Sequence, residues 1–196
     1  MIRLYCATGN PGKLREFRLA AGAAPVEIEL LPGFANFPPC VEDGATFEEN
    51  AEIKARHYGA LLAGAGHARR LLFADDSGLE VDALGGAPGV ISARYCGRHG
   101  DDLANNRLLI EKLRGVENRT ARFVCAIALV EGAELRGVYR GSVEGVIVDQ
   151  PRGAGGFGYD PHFYYPPFGC TFGEAGAEQK FSVSHRGEAL RAMLAA

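Results

Sequence analysis

Two long runs of strand character, Ala121 to Val130 and Leu135 to Val148, are separated only by Glu131 to Glu134. A connection that short predicts an antiparallel hairpin, because a parallel crossover needs a dozen residues or more. The elements around it are of another kind. Ile2 to Ala7 reads as a strand and Lys13 to Ala21 as a helix whose Leu14, Phe17 and Ala21 share a face. Val26, Ile28 and Leu30 alternate with Glu27 and Glu29 as in a half-buried strand, and a Pro-rich loop follows from Pro32 to Ala45. Thr46 and Glu49 have capping-box spacing ahead of a helix from Phe47 to about Ala63, with Ile53, Tyr58, Leu61 and Leu62 recurring along it. After the segment Gly85 to Gly89, a further helix is expected from about Asp101 to Leu113, and a last one starts near Ser184. This order predicts an α/β fold in which helices flank a mixed sheet. No repeat and no linker divides the 196 residues, so one domain over 1–196 is expected, long enough to form two lobes around a cleft.

Composition removes several function classes. The chain is 47% hydrophobic, as globular proteins are, and its 21 basic and 24 acidic residues leave a formal net charge of -3. That balance makes no electrostatic case for binding nucleic acid. The longest apolar run, Phe123 to Val130, falls far short of the ~20 residues that span a bilayer, so no membrane helix is expected. Met1 to Asn10 lacks the basic, apolar and small-residue order of a signal peptide, and a cytoplasmic protein is expected. Five cysteines without a Cys-x-x-Cys pair argue for reduced thiols rather than a disulfide framework or a zinc ribbon.

Four stretches carry residue types suited to chemistry. The apolar run Leu71 to Ala74 ends at Asp75 and Asp76, followed at once by Ser77-Gly78, and is expected to deliver two adjacent carboxylates into a turn. Successive strand residues face opposite ways, so one carboxylate can reach a cleft while its neighbour bonds to the scaffold. Paired oxygen ligands suit a hard cation such as Mg²⁺ shared with phosphate oxygens; the same four residues are also ordinary turn formers. The loop Thr8-Gly9-Asn10-Pro11-Gly12-Lys13 joins a strand end to a helix start, where backbone N–H groups and the helix dipole favour an anion. It is not a Walker A loop, since the glycine–lysine spacing is missing and Leu14 stands in place of the metal-binding hydroxyl. Gly153 to Asp160 combines close-approach glycines with Phe157, Tyr159 and a carboxylate, a set that can stack on a planar ligand and read its edge, or serve as a turn with core aromatics. Ser184-His185-Arg186 opens the last helix with Lys180 one turn upstream, grouping three donors for keto oxygens or phosphate; a solvated helix start has the same composition. His57, His67, His99 and His162 show no ligand-like spacing and read as surface or packing residues.

The motifs continue in register. Thr8-Gly9-Asn10-x-x-Lys13 is followed by Thr46-Phe47-x-Glu49-Asn50-Ala51-x-x-Lys54-Ala55 and Ala74-Asp75-Asp76-Ser77-Gly78-Leu79. Leu84-Gly85-Gly86-Ala87-Pro88-Gly89 and Ser92-Ala93-Arg94-Tyr95 come next, then Gly155 to Pro161 and Ser184-His185-Arg186-Gly187. Over essentially its whole length the chain resembles the inosine/xanthosine triphosphate pyrophosphatases, which hydrolyse aberrant purine nucleoside triphosphates. The resemblance implies a two-lobed α/β fold with a long central cleft, a homodimer and Mg²⁺ dependence. It makes Thr8, Gly9, Asn10, Pro11, Gly12 and Lys13 the triphosphate cradle, with Lys54 reaching phosphate. Asp76 becomes the central carboxylate, holding Mg²⁺ with Glu42 and accepting a proton from the attacking water, while Asp75 supports both. Attack at the α-phosphate would release a nucleoside monophosphate and pyrophosphate. Ser77 would contact the nucleotide. Phe157, with Gly158 and Tyr159, would stack on the purine, Lys180, His185 and Arg186 would donate to its keto oxygens, and Asp160 would accept from a ring N–H. Phe181 and the Pro32 to Cys40 loop depart from the family pattern. The same residues also admit a nucleotide sensor without turnover, or a pyrophosphatase of the same fold acting on other modified nucleotides.

Overall fold

The structure is a computed structural model that describes residues 2–67 and 69–196. A seven-stranded sheet has the order β2-β1-β3-β4-β5-β6-β7. Its strands are β1 (Ile2–Cys6), β2 (Val26–Leu30), β3 (Leu71–Val81), β4 (Thr120–Glu131), β5 (Glu134–Ile147), β6 (Phe163–Tyr165) and β7 (Cys170–Thr171). β1 runs parallel to β2 and to β3, whereas β6 is antiparallel to β5 and β7, so the sheet is mixed as expected. β4 and β5 are neighbours joined by Gly132-Ala133 alone, which makes them the hairpin read from the sequence. Gly132 has φ 58°, the positive value that the first position of a two-residue type II′ turn requires.

The helices are α1 (Pro11–Ala21), α2 (Phe47–Leu62), α3 (Asp102–Lys112), α4 (Ala177–Val183) and α5 (His185–Ala195). α1 begins two residues earlier than the apolar period suggests, because Asn10 caps it and Pro11 supplies a helix-ready first position. The expected capping box at α2 is present: the Glu49 N–H donates to Thr46 Oγ1 at 3.1 Å and the Thr46 N–H to Glu49 Oε2 at 3.3 Å.

The chain divides into two compact units. The first comprises the chain up to Asp76, Cys125–Gly141 and His185–Ala196. Its core packs Leu4, Phe17, Ile28, Phe73 and Ile127 with Leu190 and Met193 of α5, and Phe17 meets Phe73 edge-on at 5.2 Å. The second comprises Ser77–Val124 and Ser142–Ser184. Its core gathers Leu79, Val81, Leu109, Leu113, Phe123, Phe163 and Phe172. All five cysteines are free, and no helix among the described residues is long and apolar enough to cross a membrane.

One expectation is corrected. β3 does not end at Ala74 in a turn; it continues to Val81, so Asp75-Asp76-Ser77-Gly78 lie within an extended strand. The reason is a close approach. A Cβ at Gly78 would stand 2.6 Å from the Gly89 carbonyl oxygen, and the Leu79 N–H donates to Ser92 Oγ at 2.9 Å. The missing side chain lets the Gly89–Arg94 turn segment lie against the strand and satisfy it, and this tertiary contact overrides the turn preference of Asp, Ser and Gly.

Gly59 on α2 faces the hairpin turn in the same way, for a Cβ there would meet Gly132 and come within 2.9 Å of the Val130 side chain. Gly59→Ala is expected to lower unfolding stability by about 2 kcal/mol through overpacking. Gly64→Ala, whose Cβ would meet nothing within 4 Å, serves as the control in the same urea titration.

Candidate functional site

In the first unit two buried carboxylates stand on consecutive residues of β3. Asp75 is 1% exposed and pairs with Lys13 Nζ at 2.8 Å. Asp76 is 8% exposed and accepts from Asn50 Nδ2 at 3.0 Å. Lys54 Nζ donates to the Asp75 carbonyl at 2.9 Å and pairs with Glu42 Oε2 at 2.7 Å. Asn50 and Lys54 are four apart on α2 and so share the face that meets β3. The capping box at Thr46 and Glu49 fixes where that face begins. Asn50 also accepts the Gly44 N–H at 2.8 Å, which ties the loop bearing Glu42 to Asp76.

The adjacent carboxylates titrate in opposite directions. Burial alone would push the Asp75 carboxyl up, but Lys13, Arg186 and Lys54 together outweigh it and hold the group below its ordinary value. For Asp76 burial prevails over Lys13, Lys54 and the Asn50 hydrogen bond, with Asp75 adding to the rise, and its pKa lies above the ordinary value. A carboxylate with raised pKa is a stronger proton acceptor than a solvated one. Burial disfavours the Lys54 ammonium, yet Asp75 and Glu42 more than compensate and raise its pKa.

The loop from Thr8 to Lys13 closes on itself. Thr8 Oγ1 accepts the Asn10 N–H at 3.1 Å, and Asn10 Oδ1 accepts those of Gly12 at 2.8 Å and Lys13 at 3.2 Å. Pro11 has no N–H. The Gly12 and Lys13 backbone donors are thus engaged by the Asn10 carboxamide, and the Lys13 side chain is the full positive charge at this end. Arg186, on α5, pairs with buried Glu16 at 2.7 Å; burial opposes its charge, but Glu16 and Asp75 keep it firmly protonated. His185 beside it is buried.

The second unit holds the glycine-rich stretch. Asp160 Oδ2 accepts the Phe157 N–H at 2.9 Å and pairs with Lys180 Nζ at 2.6 Å, with both side chains buried. Lys180 Nζ also lies 5.5 Å from the Phe157 ring centroid, within cation–π range. Gly156 has φ 73°, and a Cβ there would overlap the Asp160 carboxylate, so the tight loop needs glycine at this point. The Tyr159 hydroxyl donates to the Ser92 carbonyl at 2.8 Å, and burial pushes its pKa up. Ser77, half-buried on β3, opens this unit.

The residues singled out from sequence thus fall into two sets. Thr8 to Lys13, Glu42, Lys54, Asp76, His185 and Arg186 belong to the first unit, whereas Ser77, Phe157 to Asp160 and Lys180 belong to the second. Lys180 and Arg186, read as parts of one cationic group, are committed to different carboxylates, Asp160 and Glu16. Two residues given no role from sequence take part in the first set. Asn50 was detectable from its spacing to Lys54 on the capped helix, but nothing in the sequence marks Glu16 as the buried partner of Arg186.

Among the described residues no group of three or more His, Cys, Asp or Glu side chains is gathered to hold a metal ion. Asp76 and Glu42 are hard oxygen donors, of the kind Mg²⁺ takes beside phosphate and water.

Asp75→Asn is expected to lower stability at neutral pH by about 3 kcal/mol, because it removes one partner of a buried ion pair. The Asp75 pKa is depressed in the folded state, so its contribution is complete above the ordinary value of 3.8 and fades as pH falls through the lower folded value. Chemical denaturation from pH 7 to pH 3 should therefore show the variant's deficit shrinking at the acid end; a constant deficit would contradict the assignment.

The sequence model of the Ham1 family matches residues 4–196. A dITP/XTP pyrophosphatase from an Exiguobacterium species is 48% identical over 190 residues, covering 97% of this chain and 94% of that one. A protein of the same description from Syntrophobacter fumaroxidans is 49% identical over 187 residues, covering 95% and 78%. Among solved structures, a HAM1 protein from Coxiella burnetii superposes with a TM-score of 0.85 at 36% identity, covering 100% of this chain and 98% of that one. The chain belongs to the Ham1 family.

Proposed function

We propose that this protein hydrolyses aberrant purine nucleoside triphosphates of the ITP, dITP and XTP kind to the nucleoside monophosphate and pyrophosphate, removing them from the nucleotide pool. The observation that carries the reading is the Asp75–Asp76 pair on β3, one carboxylate neutralised by Lys13 and the other kept basic by burial, in a chain of which 97% aligns with a relative named for this activity.

Asp76, buried and oriented by the Asn50 amide, takes the proton of the attacking water. Lys13 and Lys54, now held by Asp75 and Glu42, turn part of their charge to the triphosphate when it arrives. Asp76 and Glu42 would hold Mg²⁺, which when bound would neutralise phosphate charge and acidify water. Attack at the α-phosphate expels pyrophosphate. In the second unit Phe157 offers a face for the purine and Lys180 a donor for its 6-keto oxygen. Adenine presents an amino group at that position and would leave a donor opposed by a donor, which a binding site rejects strongly. A homodimer, on the strength of the family resemblance, completes the reading, and the five free cysteines support a cytoplasmic location. Release of pyrophosphate from ITP separates turnover from a sensor that only binds, and orthophosphate as the sole product would mean that another bond is cut.

Asp76→Asn is expected to reduce kcat about 10³-fold while nucleotide binding stays measurable by calorimetry, since the proton acceptor is lost and the cavity is kept. Near-normal turnover would remove Asp76 from its role. Lys13→Ala is expected to weaken ITP binding about tenfold and IMP binding much less, because one charged hydrogen bond to the outer phosphates is lost. Equal losses for the two nucleotides would count against the phosphate cradle.

A further inference from the structure

The glycine-rich stretch is held by a helix to which no role has so far been given. Asp102 and Asn106 are four apart on the first turns of α3, hence on one face. Asp102 Oδ2 accepts the Gly158 N–H at 2.7 Å, and Asn106 Nδ2 donates to the Gly158 carbonyl at 2.9 Å. Both backbone groups of one residue are thus bound by two side chains of one helix. The Asn106 amide has to present its nitrogen here, since its oxygen would face another oxygen. Its Oδ1, buried, has no hydrogen-bond partner among the described residues. Packing alone would not favour an amide with an unsatisfied buried oxygen, so the Gly158 contact is what holds it there.

Gly158 lies between the two aromatic residues of the loop and has φ 63°. On one side Phe157 is tied through its N–H to Asp160, and on the other the Tyr159 hydroxyl is tied to Ser92. Ser92 in turn accepts the Leu79 N–H and donates to the Gly89 carbonyl at 2.6 Å. The neighbouring Asn105 accepts the Cys96 N–H at 2.8 Å, so the start of α3 fastens both the segment carrying Ser92 and the loop carrying Phe157. Without the pair on α3, Gly158 would regain much of the backbone freedom of glycine, and the Phe157 ring would be oriented only by the contacts of Phe157 itself, among them its N–H bond to Asp160.

We propose that Asp102 and Asn106 are positioning residues, which fix the Gly158 peptide groups and so present the Phe157 ring ready to stack on a purine base. The inference rests on the reading that this loop recognises the base. It gives the α3 pair influence over base affinity and none over the phosphate chemistry of the first unit, because a ring fixed beforehand spares the ligand the ordering cost.

Asp102→Ala, at an exposed position, tests this, with Asp102→Asn as the conservative variant that keeps an acceptor oxygen for Gly158. Four quantities are read on the full-length protein: KM and kcat for ITP, inhibition by inorganic tripolyphosphate, and amide hydrogen exchange at Gly158. Expected for Asp102→Ala are a KM raised about tenfold, kcat within about twofold, unchanged tripolyphosphate inhibition and faster Gly158 exchange, as for loss of one hydrogen bond to a charged group. Asp102→Asn should restore KM and exchange most of the way. Unchanged KM with unchanged Gly158 exchange overturns the proposal. So does a parallel loss of kcat and tripolyphosphate inhibition, which would mark a general structural defect. Asn106→Asp, which replaces the donor by an acceptor, should reproduce the KM effect from the other side of the same peptide. Wild-type protein that fails to release pyrophosphate from ITP sinks the catalytic reading alone; Gly158 exchange and calorimetric ITP binding then still decide the positioning role.

Discussion

The ion pair between Asp75 and Lys13 is the interaction on which the first unit depends. A carboxylate with 1% exposure is ionised only if cations surround it closely, and here Lys13 contacts it directly while Arg186 and Lys54 add to the field. Each of those cations comes from a different helix, α1, α5 and α2 in that order. The charge on Asp75 therefore ties α1 to β3 directly, and cations on α5 and α2 lie within its field. Isolated buried pairs often contribute little net stability, but removing Asp75 leaves Lys13 without its counterion, while Lys54 and Arg186 keep Glu42 and Glu16.

The same field sets the chemistry next door. Asp76 follows Asp75 on an extended strand, so their side chains leave opposite faces and meet different surroundings. One is surrounded by cations and stays ionised. In the other, burial and a negative neighbour outweigh Lys13, Lys54 and the Asn50 amide, and it takes up protons more readily than an ordinary aspartate. Two residues of identical composition acquire opposite tendencies from a 180° change in direction. That division suits a site in which one acid maintains structure and the next handles a proton.

In the second unit glycine does comparable work by absence. Gly78 admits the Gly89–Arg94 segment to β3, and Gly156 admits the Asp160 carboxylate beneath its own loop. The aromatic residues that follow are then held by backbone and side-chain hydrogen bonds from α3, Ser92 and Asp160. A glycine-rich loop is flexible in isolation; this one is fastened at nearly every residue from Phe157 to Asp160.

Much of this was written in local sequence. The hairpin, the capping box at Thr46 and the mixed order of strands and helices follow from turn length, side-chain capping and apolar period, all of which act within a few residues. The candidate stretches also stood out in sequence, because carboxylates, lysines and clustered glycines are conspicuous beside the apolar runs that flank them. Two kinds of fact were decided only by the folded chain. The course of β3 through Asp75 and Asp76 depends on a segment more than ten residues away, and no local rule could weigh that contact against the turn preference of Asp-Asp-Ser-Gly. The pairing of polar groups, Glu16 with Arg186, Asp160 with Lys180 and the Gly158 N–H with Asp102 of α3, depends on which groups meet in space. Electrostatic partners are set by distance through the fold, and sequence separation carries almost no information about it.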